Sequence, residues 1–468
     1  MALLISLFLA TTGAASPDVA VNAARIDRDV SAALRYYSIP GATVAVVAGG
    51  QVVYARAFGF RDISTRALAG LDTQYEIGSI TKQFTAAAIM QLSQAGKLDL
   101  DAKVATYLPN VPYANEITVR QLLTQTSGLP DYLDGPDIDE AAKKPATFDQ
   151  IVARIAGKPL AFTPGSGWEY SNTNYLFLGR VITIVSGESY ESYVRTHILE
   201  PLGMSSTFTI GDETTVSQMA IGYRRVNGSF QPALGTIGQS FASSAGDLVS
   251  TVGDLEKWDA GLREGRVVSP ASYELMRAPQ LTTKGENSGY GFGLFVDSFA
   301  GQQRIGHTGG DYGFTTADEY FPAQDIRIIA FTNDGNDNGH PEAGEILTNV
   351  VFEGIFPDIA AAALRPSPGE DPQVTVRVKV FFDQMQSGRI DYALMAPSLA
   401  EKFKQRLSAV LASEFGAYGP PTAVVFRGKR TVSDKHWFDY DLYFGPGVFL
   451  TFGIAYDDAN AIAALSFG

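Results

Sequence analysis

Ser79-Ile80-Thr81-Lys82 sets a hydroxyl and an amine three residues apart, which places both side chains on one face of a helix. A serine hydroxyl is a weak nucleophile and needs a base within hydrogen-bond reach. A lysine can serve once burial or neighbouring cations lower its pKa. A helix N-terminus at the serine favours negative charge developing on its oxygen. Taken alone, the four residues read more readily as a helix cap followed by a solvated lysine. The flanks argue otherwise: Gly78 permits close backbone approach, and Thr81, Phe84, Ala87 and Ala88 suit a buried helix.

Tyr170-Ser171-Asn172 follows Pro164-Gly165-Ser166-Gly167, which places it on a loop. In extended backbone, residues two apart point the same way. Tyr170 can shuttle protons if Lys82 lowers its pKa, and Asn172 can fix Lys82 or donate to a substrate amide. The plain alternative is a core tyrosine beside a loop-capping asparagine. His307-Thr308-Gly309-Gly310 begins near a strand and ends in glycines that let a substrate lie against it. Two backbone N–H donors make an oxyanion hole, and Ser79 and Gly310 are the candidates. His307 is expected to orient or polarise the substrate and to carry charge near neutral pH. A turn with a solvated histidine fits it equally well.

The elements around these residues can be read from periodicity. Residues 22–37 show helical spacing, Ala42–Val47 and Gln51–Phe60 form a hairpin across Gly49-Gly50, and Ser79 to about Gln94 is a helix ended by Gly96. Helix Tyr175–Val185 would anchor the tyrosine loop. Strands return at Gly291–Val296, Gly313–Tyr320 and Ile326–Phe331. Strands near both ends with a helical block between them predict one sheet built from both termini, plus a helical lobe.

With the order Ser79-x-x-Lys82, Tyr170-Ser171-Asn172, His307-Thr308-Gly309, the chain resembles the serine β-lactamase and penicillin-binding protein superfamily, in its class C β-lactamase and DD-carboxypeptidase branch. Gln121–Pro130, Glu200–Met204 and Gly289–Phe292-Gly293 look like further segments of that family. The resemblance implies an α+β, β-lactamase/transpeptidase-like fold: an antiparallel sheet flanked by helices, with an all-helical lobe. It also implies that Ser79 is the nucleophile and forms an acyl-enzyme. Lys82 and Tyr170 would be its general base and proton relay, with the first acceptor left open between them. Asn172, His307, Thr308 and Gly309 would line the substrate, and Ser79 and Gly310 would bind the oxyanion. No metal or organic cofactor is implied. The substrate would be a small molecule or peptide: a D-amino-acid amide, an ester or a β-lactam. Most true β-lactamases carry lysine where this chain has His307, and class A S-D-N and K-T-G elements are missing. The expectation is therefore a serine hydrolase. A promiscuous esterase or weak β-lactamase is the alternative, and a non-catalytic β-lactam sensor or scaffold is the alternative of another class.

Composition narrows the field. Of 468 residues, 45% are hydrophobic and 18% charged, which supports a folded core. A net charge of −14 disfavours binding to nucleic-acid phosphates. With no cysteine, thiolate nucleophiles, disulfides and Cys-ligated metals are excluded. H-E-x-x-H and G-x-S-x-G do not occur. The apolar run Ala2–Ala10 and the small residues after it read as a signal peptide over residues 1–16, too short to span a bilayer. A periplasmic or secreted protein is expected, with no membrane span; the oligomeric state stays open. Residues 17–365 would form the hydrolase domain, 366–372 a Pro-rich linker, and 373–468 a small α+β accessory domain of cystatin- or NTF2-like type. Trp437, Phe438, Tyr440, Tyr443 and Phe444 read as packed sheet residues, and His436 as a surface residue.

Overall fold

The computed structural model describes residues 19, 21–210, 218–233, 239–335, 342–432 and 435–467. The expected signal segment 1–16 and His340 lie outside them. Helix α1 (Ala23–Tyr37) opens the described chain, with the Asn22 side chain accepting from the Arg25 N–H. Its apolar stripe Ile26, Val30, Ala33, Leu34 and Tyr37 is buried. Strands β1 (Gly41–Ala48), β2 (Gln51–Asp62) and β3 (Ala67–Leu68) follow. Helices α2 (Thr81–Gln94), α3 (Asn172–Ser186) and α4 (Val252–Arg263) belong to the middle of the chain. Strands β4 (Phe295–Phe299), β5 (Gln302–Asp311), β6 (Phe314–Phe321) and β7 (Ile326–Thr332) then close the sheet. Its order is β3-β2-β1-β7-β6-β5-β4, with antiparallel neighbours throughout. Both chain regions thus supply one sheet, as the two blocks of strand pattern require.

β1 and β7 are buried on both faces, and their alternate residues feed two cores. Ala45, Ile329 and Phe331 face the core that contains α2, α3 and α4. Ala42, Val44, Val46, Ile328 and Ala330 face the other, with α1 and helix α5 (Ala343–Ile355). The first core holds the site. α2 is buried nearly all round, including Lys82 and Gln83, so its polar groups must find partners inside. Gln83 does so by donating to Asp318 and accepting from Trp258. Arg327 on β7 bridges Asp259 of α4 and Asp318 of β6 at 2.7 and 2.6 Å. This buried ion triad fixes the helical layer to the sheet.

Gly291–Val296 is not a continuous strand. Gly289 and Gly293 take positive φ (67° and 73°), and a Cβ on Gly293 would lie 2.6 Å from the Lys82 carbonyl oxygen. These glycines let the loop press against α2, and pairing starts only at Phe295. The C-terminal part contains helix α6 (Pro372–Ser387) and the antiparallel sheet β8 (Ala423–Val432), β9 (Lys435–Tyr443), β10 (Phe449–Tyr456) and β11 (Ile462–Phe467). It does not stand apart in packing: Val378, Phe382, Phe452 and Ile454 share one hydrophobic cluster with Val350 and Phe352 of α5. Tyr37 donates to the Pro446 carbonyl and Asn349 to the Gly447 carbonyl, each at 2.9 Å.

Candidate active site

Ser79 sits in a single helical turn, Gly78–Ile80, that runs directly into α2. Its side chain is partly exposed while Gly78 and Ile80 are buried. One turn on, Lys82 is fully buried and donates three hydrogen bonds of 2.8 Å: to Ser79 Oγ, Asn172 Oδ1 and the Ala245 carbonyl. All three ammonium protons are thereby satisfied, which lets the amine sit inside the protein. Burial lowers the Lys82 pKa to about 7, against an opposing pull from Asp131. A fraction of the amine is therefore neutral at physiological pH and able to accept the Ser79 proton.

Asn172 is the first residue of α3, not a loop residue, so the helix itself aims its side chain. Its amide is held at both ends: Oδ1 accepts from Lys82 while Nδ2 donates to Asp131 Oδ2 at 2.8 Å. The backbone N–H of Asn172 also donates to that oxygen at 3.0 Å. Of its two expected roles, fixing Lys82 is the one seen. Asp131 was not singled out from the sequence, although it directly follows Gln121–Pro130; an acid immediately before a tyrosine, Tyr132, was the available signal.

Tyr170 lies beside both Ser79 and Lys82. Its hydroxyl bonds to Ser79, and Lys82 Nζ is 4.9 Å from its ring centroid. The ring stacks on Phe295 and meets Tyr290 edge-on. The condition set for proton shuttling, a Tyr170 pKa lowered by Lys82, is not met: burial, seconded by Tyr290, holds the phenol well above its ordinary value. Tyr170 stays a proton-bearing hydroxyl at neutral pH.

His307 also departs from expectation. It is 2% exposed, inside a ring of aromatic side chains. Nε2 meets the Tyr290 hydroxyl at 3.0 Å and Nδ1 the Thr308 carbonyl at 2.6 Å. Phe295 and Tyr170 lie 4.7 and 6.0 Å from it, centroid to centroid. Burial, with the nearby Lys82 second, lowers its pKa to about 3. It is a neutral, positioned ring and not a cation for the substrate. Because burial is tertiary, the sequence carried no sign of it.

Thr308, Gly309 and Gly310 lie within β5. β4 pairs with β5 only as far as Gly306, whereas β6 pairs through Asp311. The edge from His307 to Asp311 therefore has no strand partner on the β4 side. Gly309 and Gly78 allow β5 to touch the serine turn. A Cβ on Gly309 would fall 2.0 Å from the Ile77 carbonyl oxygen, and one on Gly78 2.9 Å from Gly310 N. The structure thus brings Ser79, Lys82, Tyr170, Asn172 and the Gly310 backbone together around one hydroxyl.

The family model described as Beta-lactamase matches residues 26–350, more than half of the chain. PbpX of Bacillus subtilis (strain 168) is 33% identical over 256 residues, 54% of this chain and 61% of that protein. The chain thus spans under two thirds of that relative. A D-stereospecific amidohydrolase from Streptomyces sp. superposes with a TM-score of 0.60 at 28% identity, over 72% of this chain and 98% of its own. The octameric penicillin-binding protein homologue from Pyrococcus abyssi shares the fold over 93% of this chain and 97% of its own, with a TM-score of 0.63 at 23% identity. The chain belongs to the Beta-lactamase family, within the serine β-lactamase and penicillin-binding protein superfamily.

Proposed function

We propose that the protein hydrolyses amide or ester bonds of D-amino-acid compounds through an acyl-enzyme on Ser79. The observation that carries this is the 2.8 Å contact between Ser79 Oγ and a lysine whose pKa is brought to about 7. Lys82 takes the hydroxyl proton as Ser79 Oγ attacks the substrate carbonyl carbon. The resulting oxyanion is held by the N–H groups of Ser79 and Gly310. On collapse the C–N or C–O bond breaks, and the leaving group takes its proton from the Tyr170 hydroxyl, which Lys82 resupplies. Water then attacks the ester carbon and gives a proton to Lys82; the C–Oγ bond breaks, and Ser79 Oγ takes that proton back from Lys82 as the acid is released. D-stereochemistry and the amide class are supported by likeness to the Streptomyces amidohydrolase. The neutral His307 supports an amidase or esterase over an efficient β-lactamase, because it offers no cation to a β-lactam carboxylate. Export over residues 1–16 would bring the enzyme to extracytoplasmic peptides.

D-phenylalanine amide and its L enantiomer, offered to wild type and Ser79→Ala, test the reading. Ammonia release from the D form, about tenfold or more above the L form and absent from the variant, is expected. Equal release by wild type and variant would remove Ser79 from the chemistry, and a preference for the L form would remove the D-amino-acid class.

A further inference from the structure

Glu342 is used by none of these steps, yet it stands at the free edge of the substrate strand. It is the residue that enters α5, and it is partly exposed. Its Oε1 lies 3.6 Å from where a Cβ on Gly310 would be, and the Thr308 side chain bonds to its carboxylate. Its other oxygen, Oε2, is buried without a hydrogen-bond partner among the described residues. Burial raises its pKa to about 7, so it is fully charged only above that pH, and Tyr170 then feels its charge.

The direction in which a substrate lies can be read from the proton donor. The oxyanion end of the β5 edge is Gly310, beside the serine turn. Tyr170, which protonates the leaving group in the scheme above, packs against Phe295 and His307 at the other end. The leaving group therefore lies toward Thr308. What surrounds that end is acidic. Arg304 is the one cation of β5, and it is already held by Asp297, Glu319 and Glu345 at 2.8–2.9 Å. Beyond Thr308 a cleft of about 780 Å³ continues between Asp297, Glu319 and Glu345, with Phe295 and the C-terminal Phe449 as apolar walls. His307 adds no charge.

We propose that Glu342 makes the Thr308 end of the site select leaving groups that present an N–H donor, an amide or an amine, and reject those ending in a carboxylate. The inference rests on the acyl-transfer reading and adds its selectivity. Above the pKa of about 7 to which burial raises Glu342, a carboxylate in this position would face a like charge, and like charges so placed disfavour binding. An amide N–H or an ammonium would instead donate to the carboxylate.

Two benzoyl-D-alanyl thioesters test this, one of mercaptoacetamide and one of mercaptoacetate, which differ only in an amide against a carboxylate on the leaving group. Thiol release is read with a thiol-specific dye, undisturbed because the chain contains no cysteine. At about pH 8.5, where Glu342 is ionised, wild type is expected to favour the amide by about tenfold or more in kcat/KM, and Glu342→Gln to bring the two within about threefold. Wild-type kcat/KM equal for the two, or higher for the carboxylate, overturns the proposal without reference to the variant. So does a ratio unchanged in a Glu342→Gln protein with wild-type thermal melting. Release from neither thioester, with no acyl adduct on Ser79, overturns the acyl-transfer reading itself and this selectivity with it.

Discussion

At the scale of single residues, the chemistry rests on a lysine made basic at neutral pH by burial. Neutral Lys82 is the competent form, so acylation should rise as pH increases through about 7 and then level off. His307 should add no limb between pH 5 and 8, since its folded pKa is about 3. Stopped-flow acylation rates against pH check both. Asp131 raises the Lys82 pKa and holds the Asn172 amide. Asp131→Ala should therefore shift the rising limb to lower pH. It should also lower kcat about 10- to 100-fold with KM little changed, as for a lost positioning partner. An unmoved limb would mean Asp131 is only structural. Ser79, Lys82 and Tyr170 were legible because their spacing is local or their loop signals strong. Asp131, Tyr290 and Glu342 were not, because each acts on a residue brought beside it only by folding.

At the scale of elements, glycines set how closely the strand and the serine turn approach. Gly309→Ala would drive a methyl group into the Ile77 carbonyl at 2.0 Å, so β5 or the turn must move. We expect a loss of about 1–3 kcal/mol in stability, together with a large loss of kcat, because the Gly310 N–H shifts from the oxyanion position. Denaturant melts and ester kinetics on the same variant separate the two effects, and a variant as active as wild type would contradict the oxyanion assignment. Helices and strands with clear periods were readable to within a few residues: 22–37 against Ala23–Tyr37, and Ile326–Phe331 against Ile326–Thr332. Gly291–Val296 was misread because its apolar run serves a glycine-shaped contact with α2, not a ladder. Asn172 was placed one element too early, as its helix begins without a side-chain cap that the sequence could announce.

At the scale of the whole molecule, the sheet is the wall between two cores, and only one of them carries the site. The other is completed by the C-terminal helices and sheet, reached through Phe299–Phe449 contact and the Arg427 bond to the Ala363 carbonyl. Composition and three prolines made residues 366–372 look like a boundary, but the apolar surface on either side is continuous, which no local pattern reveals. We therefore expect one cooperative unfolding transition by circular dichroism and tryptophan fluorescence alike. Removal of residues 366–468 should yield insoluble chain, because it bares Tyr37, Phe299 and Val350 to water. Two separated transitions would mean that the C-terminal part folds and melts on its own.

The most direct test of the account is intact-mass analysis after brief exposure to p-nitrophenyl acetate, followed by peptide mapping. A burst of p-nitrophenol matched to enzyme concentration and a single acetyl group on Ser79 are expected, with neither burst nor adduct in Ser79→Ala. An acetyl group on another residue, or a burst that survives in the variant, would contradict it.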